Sequence, residues 1–310
     1  MPRSPRAHAS AFAPGSVGNV GPGLDILGLA VAGAGDEVTL TRREGGGLVV
    51  DDPGHSDLPA DPTLNTAAIA AQAVFALAGV APDVGVRVRK GLPLSGGQGG
   101  SAASAVAGAC AANLLIDAGL DTASLLRCAL EGESRVAGRH ADNVAASLLG
   151  GLVLVRSLDP MEVIRVPLPA GLRIVLAHPD QRLQTRTART VLPSVVSREL
   201  ALQQAANVAA MVAAAFLNDS GLLGRALDDR IAEPARASLL PGFLAAKTAA
   251  LRAGALGCSI SGAGPTAFAL VVGDDIGSVV AAAMMAAYAE AGIEATARVE
   301  AVDTQGARAW

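Results

Sequence analysis

Within five consecutive positions this chain carries four glycines, Gly96, Gly97, Gly99 and Gly100, broken only by Gln98. They lie between a Val-rich alternating stretch ending at Lys90 and an alanine-rich run that starts at Ser101. Strand, glycine turn and small-residue helix in that order constrain the backbone strongly. Glycine takes positive φ without Cβ strain, so successive N–H groups can converge on one concavity. The helix that follows aims its unpaired N–H groups and the positive end of its dipole at the same point. Triphosphate binding needs such a place, with Ser101 or Ser104 free to meet Mg²⁺ or a phosphate oxygen. Without that context the loop would read as a flexible connection before a helix.

Two better-known phosphate loops do not fit. No Gly-Lys-Ser/Thr follows, as a Walker loop requires, and the G-x-G-x-x-G spacing of a dinucleotide fold is absent. The chain holds only two lysines, Lys90 and Lys247. Glycine-loop N–H groups, a helix N-terminus and Mg²⁺ must therefore carry most of a phosphate's charge.

Three other segments are dense in chemistry. Residues 13–28 form a second Gly/Pro-rich loop in which Asn19 and Asp25 are the side chains with polar reach. They suit an amine and a hydroxyl on a small substrate, or a turn with Asp as its cap. Residues 259–266, between two strands, read as a hairpin turn when taken alone. Residues 131–143 gather Glu131, Glu133, Ser134, His140, Asp142 and Asn143. A Glu with a Ser hydroxyl is a hard-oxygen pair for Mg²⁺, and His140 and Asn143 could face an acceptor. The plainer alternative is a solvated helix end.

Composition narrows the function classes. Of 310 residues, 51% are hydrophobic and 2% aromatic, and the net charge is −4. Aromatic scarcity argues against stacking on bases, and the negative charge against phosphate backbones or anionic membranes. Mean hydropathy is high at +0.42, yet the apolar runs at 101–116, 206–217 and 279–289 fall short of the roughly 20 residues a spanning helix needs. The N-terminus, with Arg3, Arg6 and His8, has no signal-like apolar core. A soluble cytoplasmic protein, with no nucleic-acid or membrane partner, is expected. Cys110, Cys128 and Cys258 lack metal or disulfide spacing and read as small buried hydrophobes.

Period-2 stretches predict strands at 36–42, 47–50, 84–90, 151–155, 162–166, 172–177, 257–261, 266–272 and 294–302. Helices are predicted at 63–77 (from a Thr cap), 100–118, 122–136, 197–217, 242–252 and 275–291. The elements mix without regular βαβα alternation, so the class is α+β. The Pro-Leu-Pro-Ala-Gly stretch at 167–171 marks a boundary between units 1–168 and 169–310.

In this order and separation, the three glycine segments resemble the motifs of the GHMP small-molecule kinases. Within that family the chain looks most like the branch whose acceptor is L-homoserine. That choice rests on N-x-G-P-G-x-D-x-L-G at 19–28, H-A-D-N-V-A-x-x-L-L-G-G-L-V-L at 140–154, R-T-V-L-P at 189–193, and E-P-A-R at 233–236 followed by L-L-P-G-F. The resemblance implies an N-terminal domain like ribosomal protein S5 domain 2, a ferredoxin-like C-terminal domain, and a site between them. It implies transfer of phosphate from ATP to the homoserine hydroxyl, a step toward threonine, and by analogy a homodimer.

Carried over by position, Pro93, Gly96, Gly97, Gln98, Gly99, Gly100, Ser101, Ala102 and Ser104 would cradle the ATP phosphates. Ser101 and Glu133 would hold Mg²⁺, Glu133 being preferred to Glu131 from its spacing to Gly138 and His140. Asn19, Asp25, His140, Asn143, Thr185, Arg189 and Arg236 would line the acceptor pocket. Ser101, Glu133 and Asn143 form the catalytic set, with no strong general base. Asp25 would meet the substrate ammonium, and Arg189 and Arg236 its carboxylate. The segment 261–264 would close over the site and brace the phosphate loop. The usual G-L-G-S-S-A of that loop is departed from twice, by Gln98 for Leu and Gly100 for the first Ser, and Gln98 is expected near the nucleotide. A GHMP kinase of another small alcohol, and a catalytically silent ligand-binding regulator, remain open alternatives.

Overall fold

The structure is a computed structural model describing residues 6–310; Arg3 lies outside the described residues. The first half runs β1 (His8–Gly18), β2 (Leu27–Arg42), β3 (Leu48–Asp52), α1 (Thr66–Ala78), β4 (Val84–Arg89), α2 (Gly100–Leu115), α3 (Thr122–Ser134), α4 (Asp142–Leu149), β5 (Leu152–Leu158) and β6 (Met161–Val166). The second half runs β7 (Leu172–Pro179), α5 (Thr185–Thr190), α6 (Arg198–Leu217), α7 (Ser220–Ala226), α8 (Ala232–Arg236), α9 (Phe243–Arg252), β8 (Gly257–Ile260), β9 (Ala267–Val272), α10 (Asp274–Glu290), β10 (Ala295–Ala301) and β11 (Arg308–Ala309).

Two sheets result. The first has the order β11-β1-β2-β4-β3, with β5 on the leading end of β2 and β6 beyond it. The second has the order β10-β7-β9-β8, antiparallel throughout. Its chain order of strand, helices, two strands, helix and strand is the ferredoxin-like arrangement. The passage between sheets falls at 167–171, and β11 then returns to the first sheet beside β1.

Each predicted strand and helix overlaps an observed element of its type, with ends usually within two or three residues. The cap of α1 is Asn65, whose side chain accepts from Ala67 N and Ala68 N, rather than Thr63. β1 was not expected, because Pro14 and Gly15 read as loop. The strand passes them with a register shift, a bulge where proline's missing N–H disrupts no ladder.

Alanine richness has a structural cause. α2 packs so closely on α1 that a Cβ on Gly108 would lie 2.3 Å from Ala67 O, and one on Gly132 of α3 would lie 2.4 Å from Thr66 O. Only small residues permit that approach, and they fill the core between the first sheet and α1–α4. A second cluster joins the sheets, with Leu27, Leu29 and Leu152 meeting Ile174, Leu176 and Phe268. A third lies under α9 and α10 around Phe243, Met284 and Tyr288.

By length and composition α6 is apolar enough to cross a membrane, contrary to the expectation from the shorter runs. It nevertheless docks on the protein's own core through Met211 and Ala214. Its Gln204 donates to Asp229 Oδ1 (2.9 Å) and to Pro22 O (2.8 Å).

Candidate active site

A cleft of about 640 Å³ opens between the sheets, where the glycine loops meet α5, α8 and the end of α3. The phosphate-loop candidate leads into α2 from Gly99, which caps that helix in the left-handed region with no side-chain cap. The first-turn N–H groups of α2 therefore point into the cleft without side-chain competition. Gly97 (φ +74°) could not carry a side chain, since a Cβ would lie 2.6 Å from Ser261 O and 2.7 Å from Gly264 O.

The third glycine segment is both a hairpin and a brace. It connects β8 to β9, with Ile260 opposite Ala267. Ser261 Oγ donates to Gly97 O (2.6 Å), Thr266 Oγ1 donates to Gly96 O (2.5 Å), and Gly262 N donates to Gly18 O (3.1 Å). All three glycine segments thus interlock around the cleft.

Most residues singled out from sequence line this cleft: Asn19, Asp25, Pro93, Gly96, Gly97, Gly99, Gly100, Ser101, Ser104, Glu133, His140, Asn143, Thr185, Arg189 and Arg236. Two do not. Ala102 is fully buried in the core behind α2, because helical geometry turns it away from the loop. Gln98 is also buried and its side chain points to the second sheet, away from the cleft, where its amide bonds Thr266 and Arg298. Ser104 lines the cleft, but its hydroxyl is engaged beneath, donating to Asp36 Oδ2 at 2.6 Å and accepting from Lys90 Nζ at 3.1 Å.

Glu133, not the exposed Glu131, faces the cleft. Burial pushes its carboxyl up; the Ser101 hydroxyl, His140 and Lys90 oppose the rise, and Asp142 adds to it. Its Oε2 is buried with no hydrogen-bond partner. A buried carboxylate oxygen left unpaired beside a hydroxyl fits a hard divalent cation.

At the other end, Arg189 forks onto Asp25, Nη2 to Oδ1 at 2.5 Å and Nη1 to Oδ2 at 3.2 Å. Arg236 is buried and donates to Ala188 O (3.1 Å) and Gly262 O (3.0 Å); burial, then the charge of Arg189, depresses its pKa. Asn19 acts first as a local organiser. It accepts from Asp25 N (3.1 Å), donates to Gly262 O (2.9 Å), and uses its own N–H on Asp142 Oδ2 (3.0 Å). One amide hydrogen and one lone pair of its side chain stay free for a ligand.

His140 Nε2 lies 2.5 Å from Ala137 O, an acceptor only, so that nitrogen carries a proton. Its Nδ1 is 3.6 Å from Asp142 Oδ1 and 4.0 Å from Asp25 Oδ1. Burial works against the imidazolium, but Asp142, through contact and charge, and Asp25 outweigh it and raise the pKa. Asn143, on the first turn of α4, accepts from Ser16 Oγ (2.9 Å) directly beneath Gly99.

Three contributors were missed. Asp36 is fully buried and binds Lys90 Nζ, Ser104 Oγ and Gly91 N. Lys90 gives its other hydrogens to Gly100 O (3.0 Å) and Ser104 Oγ (3.1 Å), so it supports the loop from below. Its place at the strand end just before the loop, in a chain with two lysines, was the signal available. Ser16 carried none, being identified only by the fold.

Comparison with known proteins gives the chain its relatives. The model of the GHMP kinases N terminal domain matches residues 65–151, and that of the GHMP kinases C terminal domain matches residues 210–290. The homoserine kinase of Chlorobaculum tepidum is 40% identical over 96% of both chains, and that of Arabidopsis thaliana is 41% identical over 96% of this chain and 83% of its own. The crystal structure of homoserine kinase from Cytophaga hutchinsonii superposes with a TM-score of 0.95 at 40% identity, covering 100% of this chain and 99% of that one. With both domain models matched in order and relatives of this identity spanning nearly its whole length, the chain belongs to the GHMP kinase family.

Proposed function

We propose that the chain transfers the γ-phosphoryl group of ATP to the side-chain hydroxyl of L-homoserine, giving O-phospho-L-homoserine and ADP on the route to threonine. One observation carries this reading. Of the five buried side-chain polar atoms without a partner among the described residues, Glu133 Oε2, Asp142 Oδ1 and Arg189 Nε belong to residues that line one cleft. A free carboxylate oxygen and a free guanidinium N–H at one end, and a free carboxylate oxygen beside a hydroxyl at the other, fit a zwitterionic acceptor next to a metal-bound triphosphate.

The chain's own groups have distinct tasks in this reading. The N–H groups of 96–101 and the N-terminus of α2 hold the phosphates. Arg189 and Arg236 take the acceptor's carboxylate, Asp25 takes its ammonium, and His140, Asn143, Thr185 and Asn19 orient the hydroxyl. Ser101 and Glu133 are the residues that would hold Mg²⁺. When bound, the ion neutralises charge on the phosphate oxygens. Phosphoryl transfer asks mainly for positioning and charge neutralisation, so the reading assigns no strong general base.

The same reading takes the enzyme to be cytoplasmic and 1–168 to be its nucleotide-binding unit. It also takes the enzyme to pair with a second copy. α6 leaves Leu202, Phe216 and Leu217 exposed around Ala205, Ala209 and Ala213, an uncharged stripe suited to self-association; sedimentation of the wild type as a monomer would remove that part.

ADP release measured with homoserine, threonine, mevalonate and galactose tests the central reading. Turnover should be greatest with homoserine, and turnover greatest with another alcohol would reassign the acceptor. Ligand binding without ATP consumption would instead favour a silent regulator.

A further inference from the structure

Gln98 replaces the usual apolar residue of the family loop, and the residue is 3% exposed. Its Nε2 donates to Thr266 Oγ1 at 3.1 Å, and its Oε1 accepts from Arg298 Nη2 at 2.6 Å. Its backbone carbonyl accepts from Ser16 N at 3.1 Å. Arginine can only donate, so Arg298 fixes which way the amide faces.

Thr266 completes the arrangement. Its one hydroxyl hydrogen goes to Gly96 O at 2.5 Å, and His178 Nδ1 lies 2.9 Å from the same oxygen. With that hydrogen committed, the oxygen must accept from His178, so Nδ1 carries a proton. Gln98, Thr266, His178 and Arg298 thereby form a connected clasp. It joins β7, the residue leading into β9, and β10, and grips the loop at Gly96 and Gln98.

We propose that Gln98 is a positioning residue: clamped between Thr266 and Arg298, it holds the 96–99 peptides against the second sheet in the phosphate-receiving conformation, and so sets nucleotide affinity rather than acceptor affinity. An apolar residue at this position would fill the space but leave the loop free of both directional bonds. The clasp touches neither the Asp25–Arg189 end of the cleft nor the Ser101–Glu133 pair. The proposal rests on the GHMP reading of the loop as a nucleotide site, but not on the identity of the acceptor.

Gln98→Leu, Arg298→Met and the double variant test it, with calorimetric binding of Mg–AMP-PNP in the absence of any acceptor. Each single variant is expected to weaken nucleotide binding by about three- to ten-fold, the range for one or two hydrogen bonds. The double variant should be no weaker than the worse single, because both break one clasp. In turnover assays KM for ATP should rise while KM for homoserine stays within about two-fold, a split that general loosening of the fold would not give. Gln98→Glu keeps the bond to Arg298 and should recover part of the loss. Wild-type nucleotide affinity in Gln98→Leu overturns the proposal, as do single losses that multiply in the double variant. If Gln98→Leu does not fold, Arg298→Met, at a half-buried position on the second sheet, carries the same decision. Failure of homoserine as substrate would leave these binding results intact.

Discussion

Asp25 and Arg189 hold each other in a two-point ion pair across the acceptor end of the cleft, at 2.5 and 3.2 Å. The pair joins the turn after β1 to the helix after β7, elements from opposite sheets. A zwitterionic amino acid can exchange into it, presenting its carboxylate to Arg189 and its ammonium to Asp25, so neither charge is stranded when substrate arrives or leaves. Arg189→Gln and Asp25→Asn should therefore each raise KM for homoserine by about ten-fold or more, roughly 1.4 kcal/mol. The loss is held to this scale because both side chains are about one-third exposed, 31% and 34%. KM for ATP, measured in the same assay, should change little.

Glu133 and Ser101 sit together at the other end, and Glu133 Oε2 has no partner. Ser101→Ala and Glu133→Gln should lower kcat by about a hundred-fold or more, on the scale of removing a key electrostatic stabiliser. A magnesium titration checks the assignment: both variants should need far more Mg²⁺ for half-maximal rate. An unchanged magnesium requirement would count against it.

Two glycines of one loop should respond oppositely. Gly97→Ala places a methyl 2.6 Å from Ser261 O in a positive-φ residue, costing about 1–3 kcal/mol of stability or displacing the loop. Nucleotide binding should fall at least ten-fold by calorimetry. At Gly100 the nearest neighbour of an added Cβ is Lys90 Nζ at 3.4 Å, and φ is not positive. Gly100→Ala and Gly100→Ser should bind nucleotide as the wild type does.

His178 gives a pH prediction. Burial and the neighbouring Arg298 depress its pKa, against the opposing charge of Asp180. A depressed histidine binds fewer protons folded than unfolded, so its stabilising effect is complete above its ordinary pKa near 6.5 and is lost as pH falls below it. His178→Asn keeps a donor toward Thr266 but cannot titrate. In urea melts from pH 7.5 to 5.5, its stability should decline less steeply than that of the wild type.

Much of this was legible because glycine, proline and periodicity act locally. The strand–glycines–helix sequence at 84–115 announced the phosphate loop, and alternation located the four strands of the second sheet. What escaped depended on long-range partners. Nothing near Gln98 says that its amide will meet Thr266 and Arg298, and nothing near Ser104 says that Asp36 will claim its hydroxyl. β1 escaped for a related reason: Pro14 and Gly15 are loop-like in isolation, and only pairing to Gly35 and Val31 of β2 makes them strand. Arg189 and Asp25 were placed in one pocket, but their direct pairing could not be read from two segments 164 residues apart.

The central claim is tested most directly by ³¹P spectroscopy of the wild-type enzyme with ATP, Mg²⁺ and L-homoserine. The account predicts a new phosphomonoester resonance growing in a one-to-one ratio with ADP, absent without homoserine and strongly reduced in Glu133→Gln. Consumption of ATP to inorganic phosphate alone, or no consumption with homoserine present, would contradict it.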